Sequence, residues 1–286
     1  MEKLPQDLLE RVLARLGFQS LPEPIYADLA AIYASWCRKV PFDNVRKLIH
    51  ARAANPAPFP GSDAEDYFTA WLAHGTGGTC WAGAGAMQAL LSSLGFDSRR
   101  GVATMMVAPD IPPNHGTVRV AIDGENYLMD TSILCGVPLH LLEDAETVVG
   151  HPAWGLTCAK REGNWHIAWR PLHKTNGFEC RLEHFGAAHS DFQSLYEGTR
   201  GWSPFNYELT ARINKGEEVI GAAFGQAITF ATDGTVSSRP ISTEERNRLL
   251  IEDIGLSEEI VSRLPADIPT PPPPGSKAAE LAAQSN

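Results

Sequence analysis

The chain has 286 residues, 43% hydrophobic and 20% charged, with a formal net charge of −10. That is the composition of an ordinary globular protein with ample core material, as one large domain or two to three smaller modules. The acidic balance, with no cluster of Lys and Arg, argues against nucleic acid or an anionic membrane as the main partner.

The longest weakly polar runs, 83–96 and 219–231, are shorter than the roughly 18 residues a membrane span needs. The N-terminus carries acids and a proline before any apolar stretch, so it does not read as a secretory signal. The five cysteines, Cys37, Cys80, Cys135, Cys158 and Cys180, are odd in number and form no CxxC pair. A reducing cytoplasm is therefore expected, with no disulfide framework and no zinc site. The histidines after residue 139 show no HxH or HxxxH spacing, so no metal is expected.

In chain order, Leu4, Leu8, Leu9, Val12, Leu13 and Leu16 recur at helical spacing and stop at Gly17. A second helical pattern over 25–38 carries Leu29, Ile32, Tyr33 and Trp36 on one face. Val40-Pro41-Phe42-Asp43-Asn44 ends it with proline and turn chemistry. Residues 51–61, with Pro56, Pro58 and Pro60, read as a loop, and 65–73 as a further helix. Gly77-Gly78-Thr79-Cys80-Trp81 then opens a helix whose apolar face is Met87, Leu90, Leu91 and Leu94.

After Gly95 the period changes to that of strands. A strand is expected over 100–107 and a proline-bearing loop over 109–114. Residues 115–130 are a hairpin about Asp123-Gly124, the strongest short hairpin signal. With those two as turn residues, Ile122 pairs with Glu125, Val120 with Tyr127 and Thr117 with Asp130. His115 then lies on the same face as Asp130, a diagonal neighbour at about 7–8 Å, while Val118, Val120, Ile122, Tyr127 and Met129 form the buried stripe. Further strands are expected at 157–159, 165–170, 179–182, 207–212 and 227–231, with a second hairpin turn at Asp233-Gly234. These make a mixed or antiparallel sheet. Helices follow from Ser242 and over 257–264. From 266 onward Pro, Ala, Gly and Ser dominate, which reads as a disordered tail.

A thiol in the first turn of a helix lies beside unpaired backbone N–H groups that favour thiolate. With a histidine on one strand and an aspartate on the next, Cys80, His115 and Asp130 form a nucleophile, base and orienter set. From the residues alone, a buried structural thiol and a solvent-facing His and Asp remain open. The glycines inside the Cys80 helix, Gly83 and Gly85, call for close packing or for substrate space.

At this point the chain, over residues 5–264, resembles the arylamine N-acetyltransferase family. Pro41-Phe42-Asp43-Asn44 is similar to the family's Pro-Phe-Glu-Asn, and Gly77-Gly78-Thr79-Cys80 to its Gly-Gly-x-Cys. His115 falls at its catalytic histidine, and Tyr127-Leu128-Met129-Asp130 resembles Tyr-Leu-Val-Asp. Ser203-Pro204-Phe205 and Ile254-Gly255-Leu256 look like late landmarks. The resemblance implies an α+β fold with a cysteine-protease or transglutaminase-like core. A helical bundle (1–96) carries the nucleophile, a central antiparallel β-barrel-like domain (97–205) carries His and Asp, and a C-terminal α/β lid (206–265) precedes the tail (266–286).

It also implies ping-pong acyl transfer from a coenzyme A thioester co-substrate, with no bound cofactor, through acyl-Cys80 to a small-molecule amine. Phe42, Trp81, Ser203 and Phe205 are the expected substrate contacts. The same triad also suits a cysteine amidase or transglutaminase-like enzyme, and a non-catalytic binding relative is the third reading. Three departures stand out: Thr76 where the family has arginine, Trp81-Ala82-Gly83-Ala84 where it has aromatic-Glu-Leu-Asn, and Thr131-Ser132-Ile133-Leu134 after the aspartate. Ala82 and Ala84 are expected to leave space beside an acyl-cysteine, suiting a bulkier acyl group or an amine other than a simple arylamine.

Overall fold

The computed structural model describes residues 3–53, 58–108, 110–274 and 276–284. Parts of the two proline loops, residues 54–57 and 109, lie outside the described residues. The first third is helical, as its periodicity predicts: α1 (Gln6–Leu16), α2 (Tyr26–Lys39), a two-residue β1 (Phe42–Asp43), α3 (Val45–Ala51), α4 (Ala64–His74) and α5 (Cys80–Ser93). In α1 the stripe Leu8, Leu9, Val12, Leu13 and Leu16 is buried, and the helix closes on Gly17 in the left-handed region at φ 100°.

α5 differs from its expected single apolar face. All its residues except Gly85 and Ser93 are buried, because it runs between α4 on one side and the first strands of the sheet on the other. Its Ala and Gly content reflects that crowding. A Cβ on Gly83 would lie 2.5 Å from the Thr131 hydroxyl, whereas nothing lies within 4 Å of one on Gly85.

The middle of the chain forms β2 (Asp97–Met105), β3 (His115–Ile122), β4 (Glu125–Met129), β5 (Leu139–His140), β6 (Thr147–Val149), β7 (Leu156–Arg161), β8 (Asn164–Trp169) and β9 (Phe178–Phe185). They make one antiparallel sheet in the order β5-β4-β3-β2-β9-β8-β7-β6. The edge strands approach each other, with the Thr147 hydroxyl donating to the His140 carbonyl at 2.7 Å, so the sheet curls into a nearly closed barrel. The hairpin has the predicted register, Ile122 with Glu125 and Val120 with Tyr127.

α6 (His189–Gly198), which the sequence pattern did not indicate, leads to β10 (Thr210–Lys215), β11 (Glu218–Ala223), β12 (Gln226–Phe230) and β13 (Val236–Pro240). β1 adds to their edge, so this sheet runs β1-β10-β11-β12-β13 and an N-terminal segment becomes a strand of the C-terminal sheet. α7 (Thr243–Arg248), a π-helical turn over Leu249–Asp253 and α8 (Glu258–Val261) follow. From these, Leu250, Ile254 and Ile260 pack with Val45 and Leu48 of α3 against Ala211 and Ile213 of β10. Another cluster joins Val219, Ile228 and Phe230 to Ala153 and Leu172 of the barrel loops. The sheet therefore has helices on one side and the barrel on the other.

The disordered tail is corrected at its beginning. Asp267 Oδ1 accepts the Leu209 amide at 2.9 Å, the Ile268 amide donates to the Tyr207 carbonyl at 3.0 Å, and the Thr270 hydroxyl donates to Glu208. Backbone and side-chain hydrogen bonds anchor this stretch while the Ile268 side chain stays exposed, a kind of contact that composition does not reveal. A last helix, α9, spans Lys277–Gln284.

Candidate active site

Cys80 is the first residue of α5 and is buried. The loop before it is clasped by the Pro-Phe-Asp-Asn segment. Asp43 Oδ2 accepts the Gly77 amide at 2.6 Å and Oδ1 accepts that of Val45 at 3.0 Å. Asn44 holds the C-terminal sheet, accepting the Thr210 amide and donating to the Phe205 and Glu208 carbonyls. That motif is thus a structural clamp between the loop before Cys80 and the C-terminal sheet.

His115 opens β3. It comes up to Cys80 because the next residue has no side chain: a Cβ on Gly116 would lie 2.7 Å from the Phe192 ring and 3.1 Å from the Trp81 Cα. His115 Nε2 pairs with Asp130 Oδ2 at 2.6 Å, which leaves Nδ1 as the ring nitrogen available to the Cys80 thiol; the thiol's Sγ lies 3.9 Å from the Asn114 carbonyl. Asp130 Oδ1 accepts the Ser132 and Ile133 amides, both at 2.9 Å, and Tyr33 Oη donates to the Asp130 carbonyl at 2.6 Å. His115 and Asp130 are 1% and 2% exposed, so the solvent-facing reading of this pair is excluded.

The electrostatics follow from this geometry. Burial pushes the Cys80 thiol up, but the His115 cation, its hydrogen bond, the Gly116 amide and the Lys47 ammonium together bring it below the ordinary thiol range. His115 is lowered by burial and raised more strongly by Asp130 and Cys80, with a net rise. Asp130 is raised by burial and lowered further by His115 and the two amides. The three shifts all favour the charged forms: thiolate, imidazolium and carboxylate. Burial raises the other four thiols, Cys135 to about 11 and Cys158 to about 12, with Cys37 and Cys180 also displaced upward.

A mainly apolar cavity opens on the thiol. Phe42, Trp81, Ser203 and Phe205, expected as substrate contacts, all line it with Cys80 and His115. The Phe42 and Phe205 rings meet edge to face at 5.3 Å, and Trp81 packs against Phe192 at 4.8 Å. Ala82 and Ala84 do not line it. Ala82 is packed under Gly61 and Gly78, whose added Cβ atoms would lie 2.7 and 2.9 Å from its own. The expected space beside the nucleophile is therefore filled.

Two buried cations in the cavity wall were not picked out from the sequence. Lys47, on α3, donates to the Thr199 hydroxyl at 3.2 Å and lies over the Phe59 ring at 4.4 Å. Burial lowers it to about 7. Arg212, on β10, is 3% exposed. A lone lysine in a short helix and an arginine on a strand's polar face read as solvated residues, so nothing local marks either.

Among known proteins, a family model for N-acetyltransferases matches residues 26–149, a span that includes Cys80, His115 and Asp130. The arylamine N-acetyltransferase of Mycolicibacterium smegmatis is 28% identical over 178 residues, covering 56% of this chain and 62% of that protein. The chain's fold is that of the Salmonella typhimurium arylamine N-acetyltransferase, with a TM-score of 0.73 at 18% identity over 98% of each chain. The chain has the arylamine N-acetyltransferase fold. A further family structure, from Mycobacterium marinum in complex with CoA, has a TM-score of 0.76 at 16% identity, covering 90% of this chain and 96% of that one. The family match ends before Ser203, Phe205 and Arg212, so the cavity wall supplied by the C-terminal sheet lies outside it. No helix among the described residues is long and apolar enough to cross a membrane.

Proposed function

We propose that this chain is an N-acyltransferase that moves an acyl group from a coenzyme A thioester to an amine through an acyl-cysteine at Cys80. The observation that carries the reading is the buried relay in which Asp130 holds His115 Nε2 at 2.6 Å and Nδ1 is left for the one thiol whose pKa falls below the ordinary range. The Cys80 thiolate attacks the thioester carbonyl, a new S–C bond forms, and the CoA thiol leaves with the proton of the His115 imidazolium. An amine then attacks the acyl-cysteine. His115 takes the amine's proton, the amide departs, and the thiolate is regenerated. Asp130 orients the ring and stabilises its charged form throughout. Phe42, Trp81, Ser203 and Phe205 shape the acyl and amine cavity.

Support comes from the N-acetyltransferase family model that matches residues 26–149 and from the CoA complex of the structurally similar M. marinum protein. The test is intact-protein mass after incubation with acetyl-CoA. One acetyl group is expected on wild type, cleared by adding aniline, with none on Cys80→Ala. Absence of an adduct with acetyl and longer acyl-CoAs alike refutes the reading.

A further inference from the structure

The Cys80 cavity contains an unneutralised cation that acyl transfer through the triad does not use. Arg212 is 3% exposed, and its Nε and Nη1 have no hydrogen-bond partner among the described residues. Its guanidinium carbon stands 5.9 Å from the Trp169 ring centroid. Asp130, whose field reaches Arg212, has its carboxylate oxygens engaged by His115 and the Ser132 and Ile133 amides. Five other buried donors of the cavity lining also lack partners among the described residues: Thr79 Oγ1, Trp81 Nε1, Ser132 Oγ, Trp169 Nε1 and Thr210 Oγ1.

β10 explains the placement. Ala211 and Ile213 face the helices, so the alternate side chains of Thr210, Arg212 and Asn214 turn toward the barrel. Asn214 finds the Leu134 carbonyl at 2.8 Å, but Thr210 and Arg212 end at the cavity. A buried guanidinium without an acceptor is costly to the fold. Such donors around one cavity match a ligand group that only accepts hydrogen bonds.

We propose that Arg212, with Thr210 on the same strand face and Trp169 beside it, forms a carboxylate subsite, so that one of the two acyl-transfer substrates carries a carboxylate. This rests on the acyl-transfer reading. The carboxylate belongs either to the acyl group, as in a dicarboxylic monothioester, or to the amine, as in an aminobenzoate. Guanidinium geometry suits a carboxylate's two oxygens. A phosphate dianion fits less well, because burial lowers the second cation, Lys47, to about 7, so that it is only partly charged at neutral pH and one permanent charge remains.

The test begins with binding. Cys80 of the wild-type protein is alkylated by limiting iodoacetamide in the presence of benzoate or of benzamide. Benzoate is expected to protect at about a tenth to a hundredth of the concentration benzamide requires, the range for hydrogen bonds to a charged group. Arg212→Met should abolish that difference, and Arg212→Lys should reduce it. Transfer then locates the carboxylate. One arm compares 4-aminobenzoate with aniline as acceptors of acetyl, and the other compares succinyl-CoA with acetyl-CoA as donors to aniline. In one arm the kcat/KM ratio should favour the carboxylate-bearing substrate in wild type and fall about ten- to a hundredfold in Arg212→Met. Equal protection by benzoate and benzamide overturns the subsite, and so does measurable transfer with a carboxylate preference in neither arm. If no thioester acylates Cys80, the acyl-transfer reading falls and the benzoate comparison alone decides the subsite. That comparison needs only the wild-type protein, so it stands even if the Arg212 variants fail to fold.

Discussion

Asp130→Asn isolates the electrostatic contribution of the relay, because the amide keeps one half of the carboxylate's contacts and reverses the other. Asn Oδ1 can still accept the Ser132 and Ile133 amides, so the turn after β4 is retained. The Nδ2 group replaces the oxygen now 2.6 Å from His115 Nε2, and donates where that oxygen accepted. The ring must then carry its proton on Nδ1, facing the thiol, and can no longer act as base toward it. The imidazolium also loses a charge at contact. Two unit charges about 4 Å apart at an effective dielectric near 20 interact by about 4 kcal/mol, and partial relaxation leaves about 3–4 kcal/mol. At 1.4 kcal/mol per decade, the thiolate population, and with it the alkylation rate at pH 7, should fall about 10²- to 10³-fold. The assay is the iodoacetamide rate of Cys80 against pH. Wild type should hold its rate well below the ordinary thiol range, whereas the variant's rate should climb with pH like a simple thiol. Asp130→Ala, which also loses both amide contacts, should be the less stable of the two variants. An unchanged pH profile in Asp130→Asn would refute the relay.

The two glycines of α5 should respond in opposite directions to alanine. Gly83→Ala drives a methyl into Thr131 and should lower stability by about 1–3 kcal/mol, while Gly85→Ala meets nothing and should raise it by up to about 1 kcal/mol, both read from urea midpoints. Lys47→Met tests a charge that burial has destabilised. With its folded pKa near 7 against 10.5 in the unfolded chain, the ammonium costs stability fully below pH 7, and the cost disappears as pH rises toward 10.5. The variant should therefore be more stable than wild type at pH 6, with the gain fading by pH 10, and should alkylate Cys80 more slowly at pH 6. A loss of stability at pH 6 would mean that the contacts with Phe59 and Tyr196 outweigh burial. Truncation after Ala266 removes the contacts of Asp267, Ile268 and Thr270, and should lower Tm by roughly 2–4 °C per kcal/mol lost. An unchanged Tm would show those contacts to be energetically neutral.

Local patterns carried Cys80, His115 and Asp130. Glycines and a helical period place Cys80 at a helix start, and an Asp-Gly turn between alternating residues puts His115 and Asp130 on one face, because a two-residue hairpin loop leaves a single register. What surrounds that set was decided by elements distant in sequence. α5 lost its polar side because strands β2 and β3 cover it, so Ala82, which read as open space, is packed against Gly61 and Gly78, and Gly83 against Thr131. Lys47 and Arg212 are 165 positions apart, and each sits in a local pattern that describes a surface residue. They become buried cations in one cavity because β1 joins β10 at the edge of the C-terminal sheet, bringing α3 and that sheet to the mouth of the barrel. Periodicity records which residues share a face of their own element. What that face meets depends on the pairing of strands far apart in the chain, and so does the choice between solvent and a buried cavity for a charged side chain.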